Sequence, residues 1–263
     1  MASTHGKMFE YDELQMFFGE DYALNEYITI HQPSIMEIVN YGEKDYYSMI
    51  YTLCGIPSDS KSFLFDLGID YEEMGDFEYF ILISKLFPQE RTAILFGDLN
   101  LQKFVIEPVE DEFIKVRLVN PETGCIIDRM IYQKMIDYVR EMHNIVPKVE
   151  KAMDAQTKRF LIDEDRMKHK PSKVKKKDSS FLRPLISAML NSPGFKYNKN
   201  ELKEVGIVEF MDSVQRIPLI THTQSIMNGM YCMADTSKIK PKDLDWMREI
   251  EQTQSKGLGI KLT

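Results

Sequence analysis

Long apolar runs are missing from this 263-residue chain. None approaches the roughly 18 residues that a membrane-spanning helix needs, so no membrane association is expected. The opening residues, MASTHGKMFEYDE, lack the apolar core of a signal peptide. Cysteine is scarce. Cys54, Cys125 and Cys232 lie far apart and are odd in number, which excludes a disulfide framework and fits free, buried thiols in a reducing compartment. The histidines, His5, His31, His143, His169 and His222, never fall three or four residues apart, and none neighbours a cysteine. A helical metal site is therefore not expected, and no cofactor loop stands out. Without a marked nucleophile or base either, the expectation is a protein that is not an enzyme.

What is present is ordinary in amount and unusual in placement. Hydrophobic residues make up 43% and charged residues 28%, as in a globular chain able to bury a core. Seventeen methionines mildly favour an adaptable binding surface, although a methionine-tolerant core is the commoner reason for such a count. Residues 1–150 carry 12 Lys and Arg against 27 Asp and Glu, a net of −15. Residues 151–200 carry 13 against 5, a net of +8, and residues 201–263 are near neutral at 8 against 9. The acidic part repels nucleic acid and anionic membranes, and attracts a basic segment of its own chain or of a partner.

Periodicity predicts an α+β fold, mostly α-helical, with a small antiparallel sheet in the N-terminal part. Leu14–Phe18 reads as a first strand, and Ile28 and Ile30 alternate with polar neighbours as a second. Ser34 and Glu37 have capping-box spacing, and Gly42 is a left-handed stop. The next helix has Tyr47, Ile50, Tyr51 and Cys54 on one face, widened by Tyr46, Met49 and Leu53. A short helix through Phe63 and Leu64 ends at Gly68. Asp76 reads as the cap of a helix over Phe77–Phe87, and another helix ends at Gly97. Phe104–Ile106, Ile114–Leu118 and Cys125–Ile127 then form a three-stranded meander, and Asp128 caps a helix with Met135, Tyr138, Val139 and Met142 on one side. The expected organisation is an acidic α+β domain over 1–147, a charged helix and basic linker over 148–180, and a helical domain over 181–263. In the last part Pro218 is expected to end one helix, and a final helix is expected around Leu244–Ile250.

Several patterns invite a chemical reading. Gly55–Ser62 places a glycine and a Lys-Ser pair at phosphate-loop spacing, but Ser60 replaces the second glycine, Pro57 removes an amide, and a helix precedes the loop instead of a strand. Glu72-Glu73 and Asp163-Glu164-Asp165 sit in polar runs and read as solvated faces, not as acid–base pairs. Lys168–Lys177 holds six lysines and no arginine or aromatic residue. It offers point-charge contacts without base stacking, so a hydrated linker is the leading reading and nucleic acid is not expected as a partner. Lys173, Lys175, Lys176 and Lys177 in that run, with Tyr46, Tyr47 and Tyr51 on the aromatic helix, are the candidate partner-binding residues. For the three rings, lining the core with hydroxyls toward water is the stronger reading.

The stretch HQPSIMEIVNYGEKDYYSMIYTLCGIPSD, residues 31–59, resembles the N-terminal region of uncharacterised proteins in tailed-phage morphogenesis clusters of Gram-positive hosts. The pattern there is His-x-Pro-Thr-hydrophobic-x-Glu-Ile, then Tyr-Gly-Glu and a tyrosine-rich helix. It stands here as His31, Pro33, Ser34, Glu37, Ile38, Tyr41, Gly42, Glu43, Tyr46 and Tyr47, with Ser34 in place of the more usual threonine. FGDLNLQKFVI at 96–106, LNSPGFKYN at 190–198 and EFMDSVQRI at 209–217 are similar as well. The resemblance implies a role like that of tail assembly chaperones, which bind the long helical tape-measure protein in the host cytoplasm before the tail tube polymerises. It implies tape-measure or other tail proteins as partners, with self-association as a further option, and it carries no catalytic residues. A structural or connector component of the virion is the alternative.

Overall fold

The computed structural model describes residues 11–109, 116–169, 180–232, 239–248 and 250. The fold is α+β and mostly helical, with ten α-helices among the described residues and two small antiparallel sheets in the N-terminal half. Helix α1 (Glu13–Phe17) leads into a hairpin of β1 (Tyr22–Ala23) and β2 (Thr29–Ile30). Five helices follow: α2 (Ile35–Tyr41), α3 (Glu43–Leu53), α4 (Lys61–Asp66), α5 (Asp76–Ser84) and α6 (Gln89–Phe96). The expected meander is β3 (Val105–Pro108), β4 (Val116–Val119) and β5 (Ile126–Ile127), paired in that order. Helices α7 (Arg129–Met142), α8 (Ala155–His169), α9 (Leu182–Leu190) and α10 (Ile207–Tyr231) complete the chain.

Local signals explain many of these boundaries. The Ser34 hydroxyl accepts the Glu37 amide at 3.3 Å, and the Glu37 carboxylate accepts the Ser34 amide at 2.8 Å, closing the capping box of α2. Asp128 accepts the Ile131 amide at 2.8 Å and opens α7, on which Met135, Tyr138, Val139 and Met142 are buried. Ile28 and Ile30 are buried, as their alternation requires.

Gly42 ends α2 and begins α3 with φ +102°, in the region that disfavours a Cβ. Its added Cβ would meet only Asp45 Oδ2 at 3.6 Å, so the strain of a substitution is in the backbone and not in crowding. Gly42→Ala is expected to cost about 1–2 kcal/mol, read as a shift in denaturation midpoint. A cost below a few tenths would show that the α2–α3 corner relaxes freely.

Residues 31–37 are also where the C-terminal part is fastened. The His31 amide donates to Leu95 O at 2.7 Å, which ties β2 to α6. Gln32 Nε2 donates to Met16 O at 2.6 Å. Ile35 N donates to Val205 O at 3.0 Å and Ile207 N donates to Pro33 O at 3.1 Å, on either side of a bridge between Ser34 and Gly206. A Cβ on Gly206 would lie 2.5 Å from Gln32 Oε1, so a side chain there requires the end of the Gln32 side chain to shift. Leu182, Met189, Leu202, Ile207 and Phe210 are buried in the same hydrophobic cluster as Ile38, Tyr46 and Met135, and Ile162 of α8 belongs to it too. The three segments of the sequence reading thus meet in one core.

Some expectations are corrected. Leu14–Phe18 is mostly helix, not strand: Asp12 accepts the Leu14 amide at 2.8 Å, and this cap outweighs the strand preference of the aromatic residues. Helix α5 is capped by the Gly75 backbone, with Asp76 as its first residue. Pro218 lies inside α10 instead of ending it; one turn loses its hydrogen bond, and the helix continues to Tyr231. Among the described residues around Leu244 there is a 3-10 turn, Pro241–Leu244, and no α-helix; the turn is held to α10 through Thr223 Oγ1 and Asp243 O at 3.3 Å. Cys54 and Cys125 are buried, but Cys232 is exposed. Residues 251–263, Ile114 and the lysine run from Lys170 onward lie outside the described residues.

Candidate functional site

The three candidate tyrosines have three different fates. Tyr46 is fully buried, with its hydroxyl 2.6 Å from His143 Nε2. His143 Nδ1 is 2.8 Å from Val139 O, which can only accept. Nδ1 therefore carries the proton, and Nε2 accepts from the tyrosine. Burial holds His143 down at about 4 and pushes the Tyr46 phenol well above its usual value. Tyr47 is half-buried; Phe181, just before α9, packs edge-on against it at 5.7 Å and 83°. Its hydroxyl is buried with no hydrogen-bond partner among the described residues. Tyr51 is 39% exposed. The buried stripe of α3 is Tyr46, Met49, Ile50 and Leu53, one position round the helix from the face centred on Tyr47 and Tyr51. Lys173, Lys175, Lys176 and Lys177 lie outside the described residues, so the structure does not bring them to this face or any other.

A cleft of about 480 Å³ opens beside β2, lined in part by Asp21, Thr29, His31, Asn100, Lys103 and Glu122. His31 stands at it with Nδ1 2.7 Å from Asp21 and Nε2 3.3 Å from Glu37. Burial alone would lower its pKa, but the hydrogen bonds and charges of Asp21 and Glu37 outweigh that and raise it. An imidazole with a carboxylate on each nitrogen favours the imidazolium and keeps no lone pair for taking a proton from a ligand. The arrangement clasps β1, β2 and α2 together; it is not a general base.

The most extensive polar arrangement joins α4 to the segment 150–169. Helix α4 begins at Ser60, whose side chain does not cap it; the Ser60 hydroxyl pairs instead with the Tyr79 hydroxyl at 2.6 Å. The cap arrives from α8. Asp165, buried, accepts the Ser62 amide at 2.9 Å and the Ser62 hydroxyl at 2.6 Å. Lys158 binds both Asp70 oxygens at 2.6 Å and Glu72 at 2.8 Å, and lies 5.2 Å from the Tyr71 ring centre. Its hydrogen bonds lead in holding the Asp70 and Glu72 carboxyls below their usual range. Arg166 pairs with Asp66 and covers the Phe65 ring at 5.9 Å. Before α8, Glu150 pairs with Lys61 at 2.8 Å, and the Ala152 amide donates to Glu72 at 2.6 Å.

These contacts correct the reading of Glu72 and Asp165 as solvated carboxylates and settle Lys61. The lysine at phosphate-loop spacing is buried on the Ser58 carbonyl and Glu150, where it cannot reach a nucleotide. Apolar packing of α8 on α4 rests on one side chain. Of the fifteen residues of α8 only Ile162 and Asp165 are buried, so the hydrophobic share is about one side chain, roughly 1.5–3 kcal/mol. The outer ion pairs are partly exposed and add about 0–1 kcal/mol each.

Sequence reasoning missed the sites that depend on distant partners. Asp165 and Ser62 are 103 residues apart, and Tyr46 and His143 are 97. The segmental charge asymmetry was the one signal that pointed at the α4–α8 contact. Among the described residues no cluster of three or more His, Cys, Asp or Glu is arranged to hold a metal ion, and no helix is long and apolar enough to cross a membrane. Burial pushes the Cys54 thiol up to about 12, which leaves it protonated and unreactive. No protein-family model matches the chain, and comparison with curated proteins and with solved structures gives no match either.

Proposed function

We propose that this chain is a non-enzymatic binding protein of tailed-phage morphogenesis, a tail assembly chaperone that holds the tape-measure protein in the host cytoplasm until the tail tube forms. The observation that carries the reading is the resemblance over residues 31–59, extended by the similar pieces at 96–106, 190–198 and 209–217. Two structural features are in keeping with it. Both ring nitrogens of His31, at the cleft, and of His143, in the core, are already bonded to neighbouring groups. The acidic N-terminal part already takes up a charged helix of its own chain, the kind of ligand that a helical tail protein offers.

The test is co-expression with a tape-measure protein of the same phage, followed by affinity capture at low and moderate salt. A stoichiometric complex is expected, and expression of both chains without any complex sinks the proposal. Mass spectrometry of purified particles separates the alternative. A chaperone is absent from the virion, whereas a stoichiometric band identifies a structural or connector component.

A further inference from the structure

We propose that the face of α4 covered by α8 is a docking surface for a basic, weakly apolar helix of a partner protein, and that α8 occupies it in cis until displaced. The proposal deepens the reading of the chain as a binding protein for a helical partner. Lys158, Ile162, Asp165 and Arg166 fall at i, i+4, i+7 and i+8, one stripe of a helix. Each meets a matching group: Lys158 the Asp70–Glu72 pair, Asp165 the Ser62 amide and hydroxyl, and Arg166 the Asp66 carboxylate, with Ile162 seated in the core cluster between them.

The surface lies on α4 and the turn that follows it: Asp66 belongs to α4, Asp70 and Glu72 come after it, and Tyr71 between them is buried in the core cluster. What holds α8 is one buried isoleucine, the buried Asp165 cap on Ser62 and the outer ion pairs of Lys158 and Arg166, and the outer pairs are the share that salt or a competing helix weakens. The partner chemistry follows from the imprint. It is a helix with a basic residue, an apolar residue four positions on, and a second basic residue four beyond that, preceded by a carboxylate or amide that can take the free N–H at the start of α4.

The experiment uses the full-length chain and a labelled synthetic peptide of residues 151–169 as probe. In the double variant Lys158→Glu with Arg166→Glu, hydrogen exchange in α8 is expected to rise at least about tenfold over wild type while α7 stays protected. The freed surface is expected to bind the peptide at least about tenfold more tightly than wild type, because the tethered competitor is gone. Adding Asp70→Asn and Glu72→Gln is expected to abolish that gain, because the lysine of the peptide then meets no carboxylate. Unchanged protection of α8 in the double variant overturns the proposal, and so does a released α8 with no gain in peptide binding. Should α7 also lose protection, wild type takes the variant's place. There α8 exchange is expected to rise about tenfold between about 50 and 500 mM NaCl, and no rise overturns the proposal. A failed tape-measure capture leaves these outcomes untouched, since the probe is the chain's own helix.

Discussion

Acidification from pH 7 to 4 is expected to remove about 3 kcal/mol of folding stability through His143 alone. Its folded pKa is about 4, below the ordinary 6.5 that it regains on unfolding. A depressed histidine binds its proton more readily in the unfolded chain, so its contribution is complete above 6.5 and is lost as pH falls toward 4. The cause is burial, which penalises the charged ring; the neutral ring already accepts from Tyr46 at Nε2 and donates to Val139 O from Nδ1. Other groups act in the same range with different signs. His31 is raised, so its stabilising contribution is intact in acid and is lost as pH rises through its folded pKa. Asp59 and Asp76 are raised mainly by burial and ease folding as they protonate. Glu37 is lowered, since its Ser34 bonds and His31 outweigh its burial, and it loses its contribution only below the ordinary carboxylate range.

The His143 share is isolated by the variant His143→Gln, which keeps an acceptor near Tyr46 and does not titrate. The variant is expected to be less stable than wild type at pH 7, with the gap narrowing by about 3 kcal/mol by pH 4. A gap that stays constant from pH 7 to 4 in urea titrations would refute the assignment of the acid sensitivity to this ring.

How much of this was legible in the sequence depended on how far each interaction reaches along the chain. The Ser34–Glu37 box and the Asp128 cap span three residues each, and Gly42 and Gly97 act on their own backbone, so composition and spacing revealed them. The three-stranded meander followed from its period-two runs. Where two local signals competed, sequence reasoning chose the louder one. The aromatic run at Leu14–Phe18 hides the Asp12 cap, and Pro218 reads as a stop although an interior proline removes only one hydrogen bond from a helix held elsewhere by packing. The candidate site was legible only as charge. The excess of acid before residue 150 and of base after it implied attraction, but no local rule pairs Lys158 with Asp70 and Glu72 or sends Asp165 to cap a helix 103 residues away.

The second large effect concerns how the C-terminal part is joined to the rest. Phe210→Ala is expected to cost about 3–5 kcal/mol, the usual range for emptying a fully buried phenylalanine site. Phe210 lies one turn into α10, just beyond the point where Gly206 meets Ser34 and where Ile207 N reaches Pro33 O. The 31–37 segment is packed on the other side against α6 and α1, through the His31 amide and the Gln32 side chain. A cavity at Phe210 therefore weakens a contact that the N-terminal half shares. The expected result is one cooperative urea transition, shifted to lower denaturant with its slope unchanged, together with faster exchange at the Ile35 and Ile207 amides. Two separable transitions, the earlier confined to residues 180–232, would show instead that the C-terminal helices melt on their own and that the 31–37 junction carries no cooperativity between the two parts. One transition implies that a partner gripping either part is felt in the other, because any ligand that binds only the folded junction stabilises both together.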